Sequence, residues 1–150
     1  MRACLPLLSV SLLLALGCAE EGDPTTPPLY PVDFAATYTE VRDCRPTNDH
    51  GFGSFIRVYA NPEAAAAYTA GSYPFAVGTT LVKGIYVDER CTELESVSAM
   101  KKVGAAENSA SAWEWQETAP SGAPLADRKK LCTSCHTSCT EGRDMACTDP

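Results

Sequence analysis

Basic residues are scarce in this chain. Twelve Lys and Arg stand against 19 Asp and Glu, a formal charge of −7. That balance excludes a protein built to grip nucleic acid, which needs a basic face. The acidity is most simply a solubility device. There is no glycine-rich phosphate loop and no Ser or Cys nucleophile set beside a base, so the common hydrolase and nucleotide-binding signatures are missing. No βαβ pattern of the kind that carries a redox dithiol is visible. The N-terminal apolar stretch Leu5 to Leu16 is too short to span a bilayer, which takes about 20 residues. Histidine is rarer still. His50 and His136 are the only two, so imidazole chemistry must use one or both.

Cysteine, by contrast, is plentiful, with eight in 150 residues. Their most informative grouping is Cys132-Thr-Ser-Cys135-His136. The spacing of three sets both sulfurs on one side of a helical turn. Each thiol can add to a vinyl group of haem, and the adjoining His136 can present a ring nitrogen to the iron. The motif therefore points to one covalently attached haem c. Cys132 and Cys135 are the attachment residues, and His136 is the metal ligand. A zinc site is the rival reading, because Cys139 and Cys147 lie close by and supply enough ligands for a tetrahedron.

The N-terminus has the form of an export signal. Arg2 provides the positive region, Leu5 to Leu16 the apolar core, and Gly17-Cys18 follows. Leu14-Ala15-Leu16-Gly17-Cys18 is close to a bacterial lipobox, although Ala15 stands where Leu is usual. The expected organisation is a signal peptide over 1–17, a flexible tether over 18–31 and a haem domain over 32–150. The tether is rich in Glu, Gly, Asp, Thr and Pro, a composition that buries no core. Lipid on Cys18 would be the one membrane contact, leaving an extracytoplasmic, periplasmic lipoprotein. In such an oxidising compartment Cys44, Cys91, Cys139 and Cys147 form an even set. Three pairings are open to them, and Cys44–Cys91 with Cys139–Cys147 is favoured.

Pattern predicts a mixed α+β domain. Asp33 is placed to cap a helix carrying Phe34, Tyr38 and Val41 on one face. Phe55 to Tyr59 reads as a strand. Pro62 opens a helix that Ala64 to Ala70 continue and Gly71 stops. Thr80 to Val87 is a strand, Val97 to Val103 a weaker one, and Trp113 to Gln116 alternates so that both indoles share a face. Asp127 to Cys135 is expected to be the C-terminal haem-attachment helix. The order argues for one small domain with a mainly antiparallel sheet and flanking helices.

Several elements together resemble the cytochrome P-460 / cytochrome c′-beta family. They are Val41-Arg42-Asp43-Cys44-Arg45, Asp49-His50, Ile56-Arg57-Val58-Tyr59 with Asn61-Pro62, Tyr73-Pro74-Phe75, Val77-Gly78-Thr79, Val82-Lys83 with Tyr86, Met100-Lys101-Lys102 and Trp113-Glu114-Trp115-Gln116. Cys132-x-x-Cys135-His136 then falls near the C-terminus, where that family places it. The resemblance implies an antiparallel β fold, one haem per chain, and gas binding or redox chemistry on small nitrogen compounds. Some members carry a lysine–haem crosslink and oxidise hydroxylamine. Of the matched lysines, Lys83 reads as a surface residue on an alternating strand and Lys101-Lys102 as a solvated strand end. His50 is expected to pair with Asp49 in a loop, and Met100 to pack in the core. These readings leave the sixth iron position open to a small gas or nitrogen-oxide ligand. The function expected is an exported c-type haem protein for redox or small-gas binding, with an unidentified redox partner. The alternatives are a hydroxylamine-type haem oxidoreductase or a haem-free, disulfide-rich or zinc-binding lipoprotein.

Overall fold

The computed structural model describes residues 26–125, 129–138 and 142–148. The expected signal peptide, Cys18 and Cys139 lie outside these residues. The elements run α1 (Phe34–Thr37), β1 (Thr39–Thr47), β2 (Ser54–Ala60), α2 (Pro62–Thr69), β3 (Thr80–Tyr86), β4 (Leu94–Lys102), β5 (Trp113–Thr118) and α3 (Lys129–His136), with a short 3-10 turn at Ala110–Ala112 before β5. The five strands form one antiparallel meander in the order β1-β2-β3-β4-β5. This is the α+β arrangement the strand and helix signals predict. Among the described residues, no helix is long and apolar enough to cross a membrane.

The principal correction is at the N-terminal side. The helix expected from Asp33 through Val41 stops at Thr37, and Tyr38 is already extended at φ −98°, ψ 160°. Asp33 makes no side-chain cap bond. β1 instead pairs along β2, from Thr39 opposite Ala60 to Thr47 opposite Ser54. Thr39 and Glu40 pair with β2, and Val41 falls at the register shift before Arg42. The β-branched side chains of Thr39 and Val41 suit a strand better than a helix. The helix signal at Pro62 holds. Pro62 occupies the first turn, and Gly71, at φ 61°, closes the far end in the left-handed region.

Both faces of the sheet are covered. On one, Tyr59, Val82, Val97 and Ala99 pack against Tyr30 and Phe34. Tyr30 and Leu29, from the stretch expected to be tether, thus join the core, and the Tyr30 hydroxyl meets Thr118 Oγ1. On the other face, Val58, Leu81, Met100 and Trp113 pack against Ala64, Ala65 and Tyr68 of α2, together with Phe75, Met145 and Ala146. A disulfide links Cys44 of β1 to Cys91, the pair favoured from sequence. Cys147 is also disulfide-bonded. The proposed partner Cys139 lies outside the described residues.

Candidate haem site

The second face also carries the site. One register row crosses all five strands: Arg42 lies opposite Val58, Val58 opposite Lys83, Lys83 opposite Ser98, and Ser98 opposite Glu117. Strand alternation turns these positions to the same side. All five line a cleft formed under α3. The larger part of this cleft has a volume of about 1030 Å³. It is bounded by Arg42, Arg45 and the 46–51 segment on one side and by Leu131, Cys132, Cys135 and His136 on the other. An adjoining apolar part reaches Tyr68, Leu81, Met100 and Trp115.

α3 lays the sequence motif along this opening. Cys132 and His136, four residues apart, stack on one helical face. Cys132 is half-buried and Cys135 exposed, and both carry thiols. His136 Nδ1 donates to the Met145 carbonyl oxygen at 2.6 Å. The proton on Nδ1 leaves the lone pair on Nε2, the form a metal takes. Trp115 meets the His136 ring edge-to-face, with centroids 4.7 Å apart. Burial pushes the His136 pKa down, against the opposing pull of the Met145 carbonyl. The imidazole is therefore neutral at ordinary pH.

Met145 holds its place through a buried clamp. Asp144 and Met145 both take left-handed backbone, at φ 50° and 72°. The Asp144 carboxylate pairs with the Lys102 ammonium, both side chains being 1% exposed. It also accepts from the backbone of Phe75 at 3.0 Å and of Asn108 at 3.1 Å. Lys102 is consequently not the solvated strand end that the Lys101-Lys102 pair predicts. It shares the inward parity of Met100, and its ammonium lies 5.3 Å from the centre of the Trp113 ring.

Lys83 and His50 also depart from expectation. Lys83 faces the cleft, and its Nζ lies 3.0 Å from His50 Nε2. Desolvation pushes the lysine pKa down to about 8, with Asp49 acting in the opposite direction. Burial, then the charges of Lys83 and His136, push the His50 pKa down to about 3. No hydrogen bond joins His50 to Asp49 among the described residues, so the expected loop pair gives way to a histidine–lysine pair. The missed signal lay in β3. Leu81, Lys83 and Ile85 share one parity while Val82 and Tyr86 are buried on the other, so neither face of that strand is solvated. Met100 is buried in the core, as its pattern predicts, with its side chain at the apolar end of the cleft.

A sheet face of this kind, roofed by a Cys-x-x-Cys-His helix over a half-apolar cleft, defines a haem-binding cytochrome. The model of the family described as Cytochrome P460 matches residues 33–148, and the chain belongs to that family. No curated protein matches the chain. Membership implies haem as the cofactor, and the residues present fit it. The cleft has the scale of a cofactor pocket. Its polar end carries Arg42 and Arg45, cations that would suit the two carboxylates of haem, although the Arg45 guanidinium already pairs with Asp43 at 2.6 Å. The Arg42 Nε is buried there without a partner. Among the described residues no three His, Cys, Asp or Glu side chains converge as a zinc site needs.

Proposed function

We propose that this is an exported cytochrome with one haem c per chain, serving redox or small-gas chemistry. Cys132 and Cys135 would form the thioethers and His136 would ligate the iron. The observation that carries the reading is the His136 hydrogen bond. Its Nδ1–H is committed to the Met145 carbonyl, so Nε2 is presented as a ligand one helical turn from Cys132. The bound haem supplies a one-electron iron centre and a coordination position for a diatomic ligand. The protein's own part is fourfold. α3 would hold the macrocycle through Cys132 and Cys135. Met145 orients the imidazole and raises its basicity. Trp115, Leu81 and Met100 keep water from the inner edge. Arg42 and Arg45, at the polar end of the cleft, would balance the charge of the haem carboxylates.

Export rests on the Arg2, Leu5 to Leu16 and Gly17-Cys18 pattern, and lipid on Cys18 would hold the domain at the periplasmic membrane surface. A nitrogen oxide or another small gas is the ligand class suited to so narrow an inner pocket, and the redox partner is an exported protein. A second reading, a hydroxylamine-type oxidoreductase, is favoured by Lys83, which lines the cleft while Lys102 is engaged in the core.

The test is expression with the cytochrome c maturation machinery. The protein should retain haem-linked peroxidase staining on a denaturing gel. Cys132→Ala with Cys135→Ala should abolish the stain, and His136→Ala should alter attachment or the iron spectrum. A haem-free mature protein with stoichiometric zinc would overturn the reading. A Cys18→Ser variant that stays in the membrane fraction would remove the lipid anchor from it.

A further inference from the structure

We infer that His50 is the sixth ligand of the haem iron, so that the resting protein is a bis-histidine cytochrome and not one with an open distal face. The inference rests on the haem reading above and deepens it. Its basis is where the chain puts its only other imidazole. The β1–β2 turn that carries His50 is tightly built. Gly51 sits at φ 128°, and a Cβ there would meet Ser54 Oγ at 2.5 Å; Gly53 follows at φ 77°. Glycine alone tolerates these conformations comfortably. The turn thus brings His50 over the cleft opposite His136.

The two rings stand 6.5 Å apart between centroids, at an interplanar angle of 76°. A metal–imidazole nitrogen bond is about 2.0 Å, and the ring centre lies about 1.1 Å beyond the nitrogen, so two imidazoles on opposite sides of one metal have centroids about 6 Å apart. The observed separation is close to that spacing. Tautomers agree with this. His136 gives its Nδ1 proton to Met145, which frees Nε2. On His50 it is Nε2 that faces the Lys83 ammonium, a group that donates and cannot accept. Nε2 of His50 is therefore also the nitrogen with the lone pair. Ligation moves no proton: His50 exchanges the Lys83 hydrogen bond for the metal, and Lys83 keeps the neighbouring Asp49 charge.

The sulfur alternatives are weaker. The Met100 side chain is part of the packed core, 6% exposed. Met145 is 8% exposed in the same cluster and serves His136 through its backbone. A gas ligand then competes with His50 for the iron, and its binding is gated by release of the β1–β2 turn.

The experiment uses the mature holoprotein and its His50→Ala variant. Wild type should be low-spin in both oxidation states, and His50→Ala should turn high-spin and five-coordinate when reduced. Added imidazole should restore the low-spin spectrum. Where His50 occupies the site in nine molecules of ten or more, its removal should speed carbon monoxide binding about tenfold or more. Should His50→Ala not accumulate, the wild-type spectrum and its shift in His50→Met carry the decision. Covalent haem that is high-spin in wild type, or low-spin in both wild type and His50→Ala, overturns the inference and leaves the haem reading standing. Absence of covalent haem overturns both.

Discussion

Asp144 is expected to be among the most sensitive single positions outside the haem ligands. Replacing it with Ala takes an acceptor from three donors at once, leaving Lys102 only the Ala106 carbonyl at 3.2 Å. The Lys102 ammonium loses its counter-ion, and the Phe75 and Asn108 amides lose their acceptors. Removing one partner of a buried ion pair costs about 3–5 kcal/mol. An orphaned amide costs about 1–3 kcal/mol. The three losses share one carboxylate and do not add, so about 4–5 kcal/mol is the expected total. Asp144→Asn, which keeps the shape and one acceptor, should lose less. Lys102→Met combined with Asp144→Leu should recover only the ion-pair part of the loss, because the Phe75 and Asn108 amides still lack their acceptor. Urea unfolding of the holoprotein followed by far-UV circular dichroism gives the values. A second readout separates a merely structural role from a positioning one. Asp144 fixes the left-handed turn that aims the Met145 carbonyl at His136, so Asp144→Ala should also shift the haem reduction potential. A loss under about 1 kcal/mol with an unchanged potential would refute the clamp.

Opening the Cys44–Cys91 bridge by a Cys44→Ser, Cys91→Ser double change frees a loop with a sequence separation of 47, and chain entropy puts the loss at about 4 kcal/mol; the same urea titration should show it, and no loss would mean that the native contacts hold that loop unaided. Stability should also climb with pH between about 8 and 10. Lys83 has a folded pKa lowered to about 8 against an ordinary 10.5, so across that window the unfolded chain binds more protons. Lys83→Met should flatten the climb, by about 2 kcal/mol after allowance for partial exposure. The raised pKa of Tyr30 and Tyr68 works in the opposite direction only above about pH 10, so a slope confined to that range would not count.

Much of the molecule is legible from local chemistry. β2, β3, β4 and β5 announce themselves by β-branched and aromatic runs. α2 shows Pro at its start and Gly71 past its end, and the Cys132–His136 motif carries its own helical spacing. These signals act within a few residues of each other, where propensity and capping decide. The same local logic fails at β1, because a capping Asp33 and an i, i+4 pattern are outweighed by hydrogen bonds to a strand distant in sequence.

The sequence by itself determined the cofactor motif, the nearly complete list of strands and the even count of cysteines left to pair. Only the tertiary structure decided which polar residues are buried. Lys83 and Lys102 look alike as lysines within strand patterns. One is drawn to His50 and the cleft, the other to Asp144 in the core, because register fixes the face and the covering elements fix its solvent. Met145 became the orienting group of His136 through its carbonyl, a role no side-chain pattern encodes. The distance between His50 and His136 is likewise a property of the assembled sheet. Two residues 86 positions apart meet because β1 returns along β2 while α3 folds back over the same face, and chain connectivity alone carries no trace of that meeting.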